Sequence, residues 1–318
     1  MLRTLTIFMA ISFFGGAAAF GQTVGYADAL DRLAVNCGAD IAKYCKNENL
    51  GGGRVRDCLL RSHSKVSARC IGAVNSLSAL LQKRAAARSS VMRVCELDIK
   101  RRCSGVEVGD GNLMECFYKT KENISPACRQ AVADAGFEVA LGPSSRPGSI
   151  NLNSGDLVSS LQGVETAANT ISASQLRRLV SQSLADPSRA NRVGRLPLFE
   201  QLDSLAQITI AIQFDFNSAR IRPDSFRAVG LMADALYHPY LQGYRFLIVG
   251  HTDAKGSREY NLKLSQERAD AIRAALINPF GIAPARIEAV GLGEEQLLNR
   301  SNPEAAENRR VQLINIGK

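Results

Sequence analysis

Three polar residues in the C-terminal part of the chain, Asp253, Asn261 and Arg268, have the types and spacing of a small ligand pocket. An apolar run over 245–249 predicts a strand that ends shortly before Asp253, and the helix predicted next carries Asn261, Ser265 and Arg268. Spacings of four and seven residues place these three side chains on one helical face. A carboxylate that faces an amide and a guanidinium forms a bipolar pocket, which suits a zwitterion with an ammonium and a carboxylate group.

The run GHTDAKGSREYNLKLSQERA at 250–269 resembles the OmpA-like peptidoglycan-binding family, and three further motifs carry the same resemblance. ITIAIQFDFNSARIRPDS at 208–225 is similar to the first strand of that family and the turn after it. RIEAVGLGEE at 286–295 and ENRRVQL at 307–313 are similar to its last two strands. The four motifs follow one another in the order and spacing of the family and cover about 205–318.

The resemblance implies a polar pocket for the diamino acid of the peptidoglycan peptide stem, usually meso-diaminopimelate. Carried over position by position, Asp253 would bind the ligand ammonium and Arg268 its carboxylate, because the planar guanidinium supports bidentate carboxylate binding. Asn261 would bridge the ligand and the backbone. Arg309 would either close the far side of the pocket or form a structural salt bridge with an Asp or Glu. The rim would consist of Thr252, the Asp215 backbone, Phe216 and Asn217.

Hydrophobic periodicity predicts the elements that position these residues. Ile208, Ile210 and Ile212 alternate with other residues, as in a strand with one buried face. The predicted order over 205–318 is β-α-β-α-β-β, an α/β sandwich with helices over one face of the sheet. The remaining strands are predicted at 245–249, 286–290 and 310–316, and the helices at 223–237 and 257–277.

Eight cysteines between Cys37 and Cys128 form two sets with identical spacings of 8, 13 and 12 residues. The second set is the first shifted by 58 positions, and Asp40/Asp98 and Ser67/Ser125 follow the same shift. Two copies of one unit explain this pattern. Each copy is predicted to be a helix, a glycine-containing turn and a second helix with a break in it.

In a helical hairpin, residues near the turn on one helix face residues near the turn on the other. Residues far from the turn face each other in the same way. The predicted disulfides are therefore Cys45–Cys58, Cys37–Cys70, Cys103–Cys116 and Cys95–Cys128. Units this small bury little apolar surface, and each crosslink typically adds about 2–4 kcal/mol of stability. The spacing lacks the close cysteine pairs of zinc sites and the CxxC motif of redox proteins. The pattern resembles the cysteine-rich repeat best known from a Golgi glycoprotein.

The first 21 residues have the pattern of a secretory signal peptide, with one charge at Arg3, an apolar run over Leu5–Phe14 and small residues before Gly21. Cleavage is expected near Gly21, with Ala19 as the competing site. The apolar run is too short for a lasting bilayer anchor. We therefore expect an exported mature chain without a transmembrane anchor, in a compartment where disulfides form.

A stretch rich in Pro, Gly, Ser and Asn at Gly142–Gly155 marks a domain boundary. Beyond it, Pro197-Leu198-Phe199 is expected to pack against the C-terminal domain. The overall fold class is α+β. The predicted organisation is a signal peptide at 1–21, two cysteine-rich helical repeats at 22–140, a linker with a short amphipathic helix at 141–204, and the OmpA-like domain at 205–318.

Composition and motifs argue against several function classes. The net charge of +9 is typical of a solvated basic surface, and no nucleic-acid partner is expected. The chain has no glycine-rich phosphate loop, and no nucleophile motif accompanies His251. His63 and His238 have no partner at metal-ligand spacing. We therefore expect no catalytic residue, metal or cofactor.

The resulting prediction is a non-enzymatic protein of the periplasm, associated with peptidoglycan and close to the outer membrane. Its C-terminal domain would bind peptidoglycan and tether the cysteine-rich module to the cell wall. One alternative is a wall-modifying enzyme that uses this domain for targeting, although 22–205 holds no catalytic pattern. The other is an interaction or virulence module whose cysteine-rich repeats bind an envelope protein as their main partner.

Overall fold

A computed structural model describes residues 24–107, 111–137, 154–162, 171–185 and 197–318. The predicted signal peptide and most of the predicted boundary at Gly142–Gly155 lie outside these residues. Among the described residues, no helix combines the length and the apolar character that crossing a bilayer requires.

The cysteine-rich part of the chain folds into two helical hairpins joined by one long helix, α3. The interruption that was expected between Cys58 and Cys70 is the short stretch between α2 and α3. The helices of this part are α1 (Tyr26–Tyr44), α2 (Arg54–Arg61), α3 (Ala68–Val94), α4 (Glu96–Arg102), α5 (Asn112–Lys119) and α6 (Pro126–Asp134).

All four predicted disulfides are confirmed, and no described cysteine is free. In each hairpin one bridge lies next to the turn, and the other lies further from the turn. The bridges are Cys45–Cys58, Cys37–Cys70, Cys103–Cys116 and Cys95–Cys128.

A polar contact between helices explains why an aspartate and a serine recur in both repeats. Ser67 Oγ donates to Asp40 Oδ2 at 2.7 Å, and Ser125 Oγ donates to Asp98 Oδ2 at the same distance. Each serine also caps a helix, since its Oγ accepts from the backbone N–H three residues further on, at 3.3 Å. Each repeat therefore keeps the serine helix cap together with the Ser–Asp hydrogen bond between its helices.

The C-terminal part contains a four-stranded sheet in the order β1-β4-β2-β3. Strands β2 and β3 are parallel, and β4 is antiparallel to both β1 and β2. The predicted order of strands and helices is confirmed. Its elements are β1 (Gln207–Ile210), α10 (Phe226–Leu236), β2 (Phe246–His251), α11 (Arg258–Ile277), β3 (Ile287–Gly293) and β4 (Val311–Asn315).

The middle segment, expected to be mainly a linker, supplies helices to the sheet. These are α7 (Ser154–Leu161), α8 (Ala173–Ala185) and α9 (Pro197–Asp203). Leu176 and Val180 of α8 and Phe199 of α9 share a buried apolar cluster with Leu247 and Val249 of β2. The expected packing of Phe199 is thus confirmed. The prediction of helices over one face of the sheet is wrong, because Phe246 and Ile248 of β2 pack against α10 and α11 on the opposite face, and helices cover both faces.

The first repeat packs directly against the C-terminal part, and buried residues of both form one apolar cluster. Helix α1 lies on α10 so closely that a Cβ at Gly230 would meet the Ala27 backbone. Asp234 of α10 accepts hydrogen bonds from the N–H groups of Tyr26 and Ala27 at 3.0 and 2.9 Å. Arg84 of α3 pairs with the same carboxylate at 3.3 Å, and both side chains are fully buried.

Asp234→Ala is predicted to destabilise the protein by about 3–5 kcal/mol, because it leaves the buried Arg84 charge without its partner. It also removes the acceptor for two backbone N–H groups at the start of α1. Chemical unfolding of the oxidised protein measures this loss. The matched control is Asp224→Ala, which removes an exposed carboxylate paired with Arg222 and should change stability by less than about 1 kcal/mol. Equal effects of the two substitutions would contradict the assignment.

Candidate functional site

Two glycines allow helix α11 to lie directly on the sheet beside the predicted pocket. A Cβ at Gly250 of β2 would collide with the backbone of Ser265, and a Cβ at Gly291 of β3 would collide with that of Gln266. Ser265 Oγ accepts a hydrogen bond from the N–H of Gly293 at 2.8 Å. Ser265 is fully buried, so this side chain joins helix to strand and does not line the pocket.

Asp253 lies in the turn after β2, with its carboxylate held on both oxygens. Its Oδ2 is 2.6 Å from Arg309 Nη1, and its Oδ1 accepts from the N–H of Lys255 at 3.2 Å. Asn261 Nδ2 donates to the Asp253 backbone carbonyl at 3.2 Å and to Glu294 Oε2 at 2.6 Å. The structure therefore brings Asp253, Asn261 and Arg309 together, and the salt bridge considered for Arg309 is made with Asp253 itself.

Arg268 is placed by a second set of contacts. Its Nε donates to the Ser218 backbone carbonyl at 3.0 Å, and its guanidinium carbon lies 4.9 Å from the centre of the Phe214 ring. Burial lowers the pKa of Arg268, and the charge of Arg309 lowers that pKa further, whereas Asp253 raises it. The guanidinium stays charged at neutral pH because arginine does not lose its proton in proteins.

The turn that follows β1 brings Ser218 to Arg268. The N–H of Asp215 donates to the Arg220 carbonyl at 3.0 Å, and the side chains of this pair form a salt bridge. Asn217 has a φ of 54°, a left-handed conformation that asparagine tolerates better than most residues. Phe216 is fully exposed at the tip of this turn.

Thr252 stands between the end of β2 and Asp253. Its N–H donates to the Gly293 carbonyl at 2.9 Å, which fixes the strand end against β3. The hydroxyl is buried and has no hydrogen-bond partner among the described residues. The predicted rim residues thus come from two places, with Thr252 at the strand ends and 215–217 in the turn beside Arg268.

Sequence reasoning missed Glu294, whose carboxylate accepts from Asn261. The signal was present, because Glu294 directly follows β3 and Asp253 closely follows β2. Residues after the carboxyl ends of neighbouring parallel strands lie side by side, where ligands commonly bind in open α/β sheets. Ser218 contributes through its backbone carbonyl, which no side-chain pattern indicates.

Comparison with known proteins identifies both halves of the chain. Residues 213–310 match the OmpA family, and residues 86–125 match the family described as a cysteine rich repeat. Residues 213–310 of this chain form an OmpA family domain. All predicted pocket residues of this OmpA family domain fall within 213–310.

Curated relatives match about a third of the chain. The peptidoglycan-associated lipoprotein of Pseudomonas putida is 37% identical over 102 residues, which are 31% of this chain and 59% of that protein. Outer membrane porin F of Pseudomonas fluorescens is 36% identical over 110 residues, 34% of this chain and 33% of the porin. This chain therefore spans less than two thirds of the length of either protein.

A solved structure shows the same partial coverage. The crystal structure of the peptidoglycan-associated lipoprotein from Burkholderia pseudomallei is 33% identical, with a TM-score of 0.28. The match covers 33% of this chain and 87% of that one.

His251, at the end of β2, is almost completely buried beside the pocket. Burial lowers the pKa of His251 well below its usual value of 6.5, and the nearby charge of Arg310 lowers that pKa further. The folded protein therefore holds a neutral imidazole, whereas the unfolded chain takes up a proton below pH 6.5. The free energy of unfolding that depends on a neutral His251 is accordingly retained above pH 6.5 and lost as the pH falls below it.

His251→Gln is predicted to reduce this acid sensitivity. One histidine that is neutral when folded should cost about 1 kcal/mol of stability between pH 6.5 and pH 5.5, through proton uptake by the unfolded chain. The measurement is urea unfolding of parent and variant at several pH values, each compared with its own stability at pH 7.5. His63→Gln, at an exposed histidine, serves as the control substitution. Parallel pH profiles for parent and His251→Gln would contradict the assignment.

Proposed function

We propose that the OmpA family domain binds peptidoglycan non-covalently, through the zwitterionic end of the diamino acid in its peptide stem. The observation that carries this proposal is a pair of opposite charges, the buried Asp253 and the half-buried Arg268, each held by a backbone contact. The names of the Pseudomonas and Burkholderia relatives, which describe peptidoglycan-associated lipoproteins, support the same ligand class.

Asp253 is the proposed partner of the ligand ammonium. Its carboxylate is only 9% exposed as a residue, so an ammonium placed there is screened less than at the open surface. Arg309 now occupies Oδ2, but its side chain is 49% exposed and can move into solvent when a ligand arrives. Asn261 and Lys255 hold the aspartate in place without neutralising it.

Arg268 is the proposed partner of the ligand carboxylate. Its Nε is engaged by the Ser218 carbonyl, which leaves the two Nη groups for a bidentate interaction. The Phe214 ring beneath the guanidinium fixes its plane. The buried Thr252 hydroxyl and the 215–217 backbone are the proposed rim, with the exposed Phe216 at the outer edge.

The protein would then act as a non-enzymatic tether in the cell envelope. Wall binding through 205–318 would hold the cysteine-rich repeats of 22–140 at the peptidoglycan, in the periplasm and close to the outer membrane. Because α1 is docked on α10, these repeats would be displayed in a fixed orientation and would not move as an independent module. An envelope protein bound by the repeats is the proposed second partner.

Asp253→Ala and Arg268→Ala are each predicted to weaken co-sedimentation with purified peptidoglycan by about 2–5 kcal/mol, because each leaves a ligand charge unpaired in a partly desolvated site. Arg268→Lys should weaken co-sedimentation as well, since lysine keeps the positive charge but lacks the planar guanidinium that binds a carboxylate with two hydrogen bonds. Free meso-diaminopimelate should release the parent protein from the wall.

The matched controls are Asp270→Ala, an exposed aspartate on the same helix α11, and Arg222→Ala, an exposed arginine close to the 214–221 turn. Both should sediment like the parent, and circular dichroism must show every variant folded. If folded Asp253→Ala and Arg268→Ala still pellet with the wall like the parent, the pocket is not the binding site. Binding through the cysteine-rich repeats would then be the better explanation.

A further inference from the structure

A cavity of about 580 Å³ lies between the first cysteine-rich repeat and the end of α11. This volume falls in the range of small-molecule sites, roughly 300–1,000 Å³. Three consecutive glycines form the turn at its edge, and Phe280 closes the side that belongs to the OmpA family domain. Its wall consists mainly of aliphatic side chains from α1, α2 and α3, among them Leu30, Leu33, Val55, Leu59, Val74 and Leu77.

The second repeat shows that the fold does not require this cavity. Phe117 stands at the position equivalent to Leu59, and Met114 at the position equivalent to Arg56. Both are buried and form an apolar cluster with Phe137, which follows the end of α6. The second copy therefore fills its interior with large side chains, whereas the first copy has a smaller residue and a polar one.

The polar side chains that line the cavity can all donate hydrogen bonds, and among the residues that the structure describes no carboxylate lines it. They are Arg56, Ser78, Gln82 and Asn278. Asp57 accepts from Nε and Nη2 of Arg56 at 2.8 and 2.7 Å, which leaves the Nη1 group for a further acceptor. An aliphatic wall beside a donor-rich polar rim is complementary to a chain of methylene groups that ends in an anionic oxygen group.

We propose that this cavity binds a single-chain fatty acid, with the alkyl chain against the aliphatic wall and the carboxylate at Arg56. The site is independent of the diamino acid pocket, because none of its lining residues contributes to that pocket. Ligand in the cavity would contact α1 to α3 and the end of α11 together, and would therefore strengthen the contact between the repeat and the OmpA family domain.

The test is isothermal titration of the oxidised full chain with dodecanoate, below the concentration at which dodecanoate aggregates. The parent should bind saturably with one ligand per chain. Ser78→Phe and, as a second variant, Leu81→Phe place a larger side chain in the cavity and should weaken binding at least tenfold. Arg56→Gln should weaken dodecanoate binding by threefold or more and leave dodecyl maltoside, which has no negative charge, unchanged.

Ala79→Phe is the matched control, because Ala79 is exposed on α3 next to Ser78 and does not line the cavity. It should bind dodecanoate like the parent, and thermal melts should show all variants folded. Absence of saturable dodecanoate binding by the parent would overturn the proposal, as would equal binding by the cavity-filling variants. A third outcome also overturns the proposal: the parent forms a dimer and does not bind dodecanoate, and Ser78→Phe dissociates the dimer. That result would assign the cavity to a second copy of the chain.

Discussion

The buried carboxylate of Asp234 is the interaction on which the arrangement of the two halves depends. It lies in an apolar helix of the OmpA family domain, yet it accepts from the first N–H groups of α1 and pairs with Arg84 of α3. A charge removed from water needs such partners, and a buried helix start needs an acceptor. Each half therefore satisfies a requirement of the other. The glycine turns of the repeats add close contacts, since a Cβ at Gly111 would overlap the Gly243 backbone.

Local patterns in the sequence predicted much of this structure. The repeated cysteine spacing predicted the four disulfides because a hairpin permits few nested pairings, and alternating isoleucines and helical periodicity predicted the order of the C-terminal elements. The placement of Asp253, Asn261 and Arg268 followed from one strand, one turn and one helix adjacent in sequence. These features depend on short separations along the chain, which pattern and spacing can specify.

Contacts between distant segments could not be predicted in the same way. Asp234 and Tyr26 are 208 positions apart. An aspartate in an apolar helix indicates that the carboxylate needs a partner, but the sequence does not show which residue that partner is. The sequence did contain an indication that both faces of the sheet are covered, since β2 is apolar at successive positions and is buried throughout. Such continuous apolar strands are typical of sheets covered on both sides. Of the helices that cover the face with Leu247 and Val249, α8 lies in the segment for which one short amphipathic helix was predicted, whereas α9 lies in a stretch predicted as linker.

Helix α11 connects the proposed diamino acid pocket to the first disulfide-linked hairpin. Asn261 and Arg268 lie in its first three turns, and near its other end the Ala274 backbone lies within van der Waals distance of where a Cβ on Gly51 would be. Twenty residues of α-helix span about 30 Å, so this helix extends across a large part of the domain. Under the proposed function, tension applied by the wall at one end of α11 would pass along hydrogen-bonded turns. A hairpin closed by two disulfides would carry it at the other end. Mechanical force from turgor or shear would then not separate the cysteine-rich repeats from the OmpA family domain.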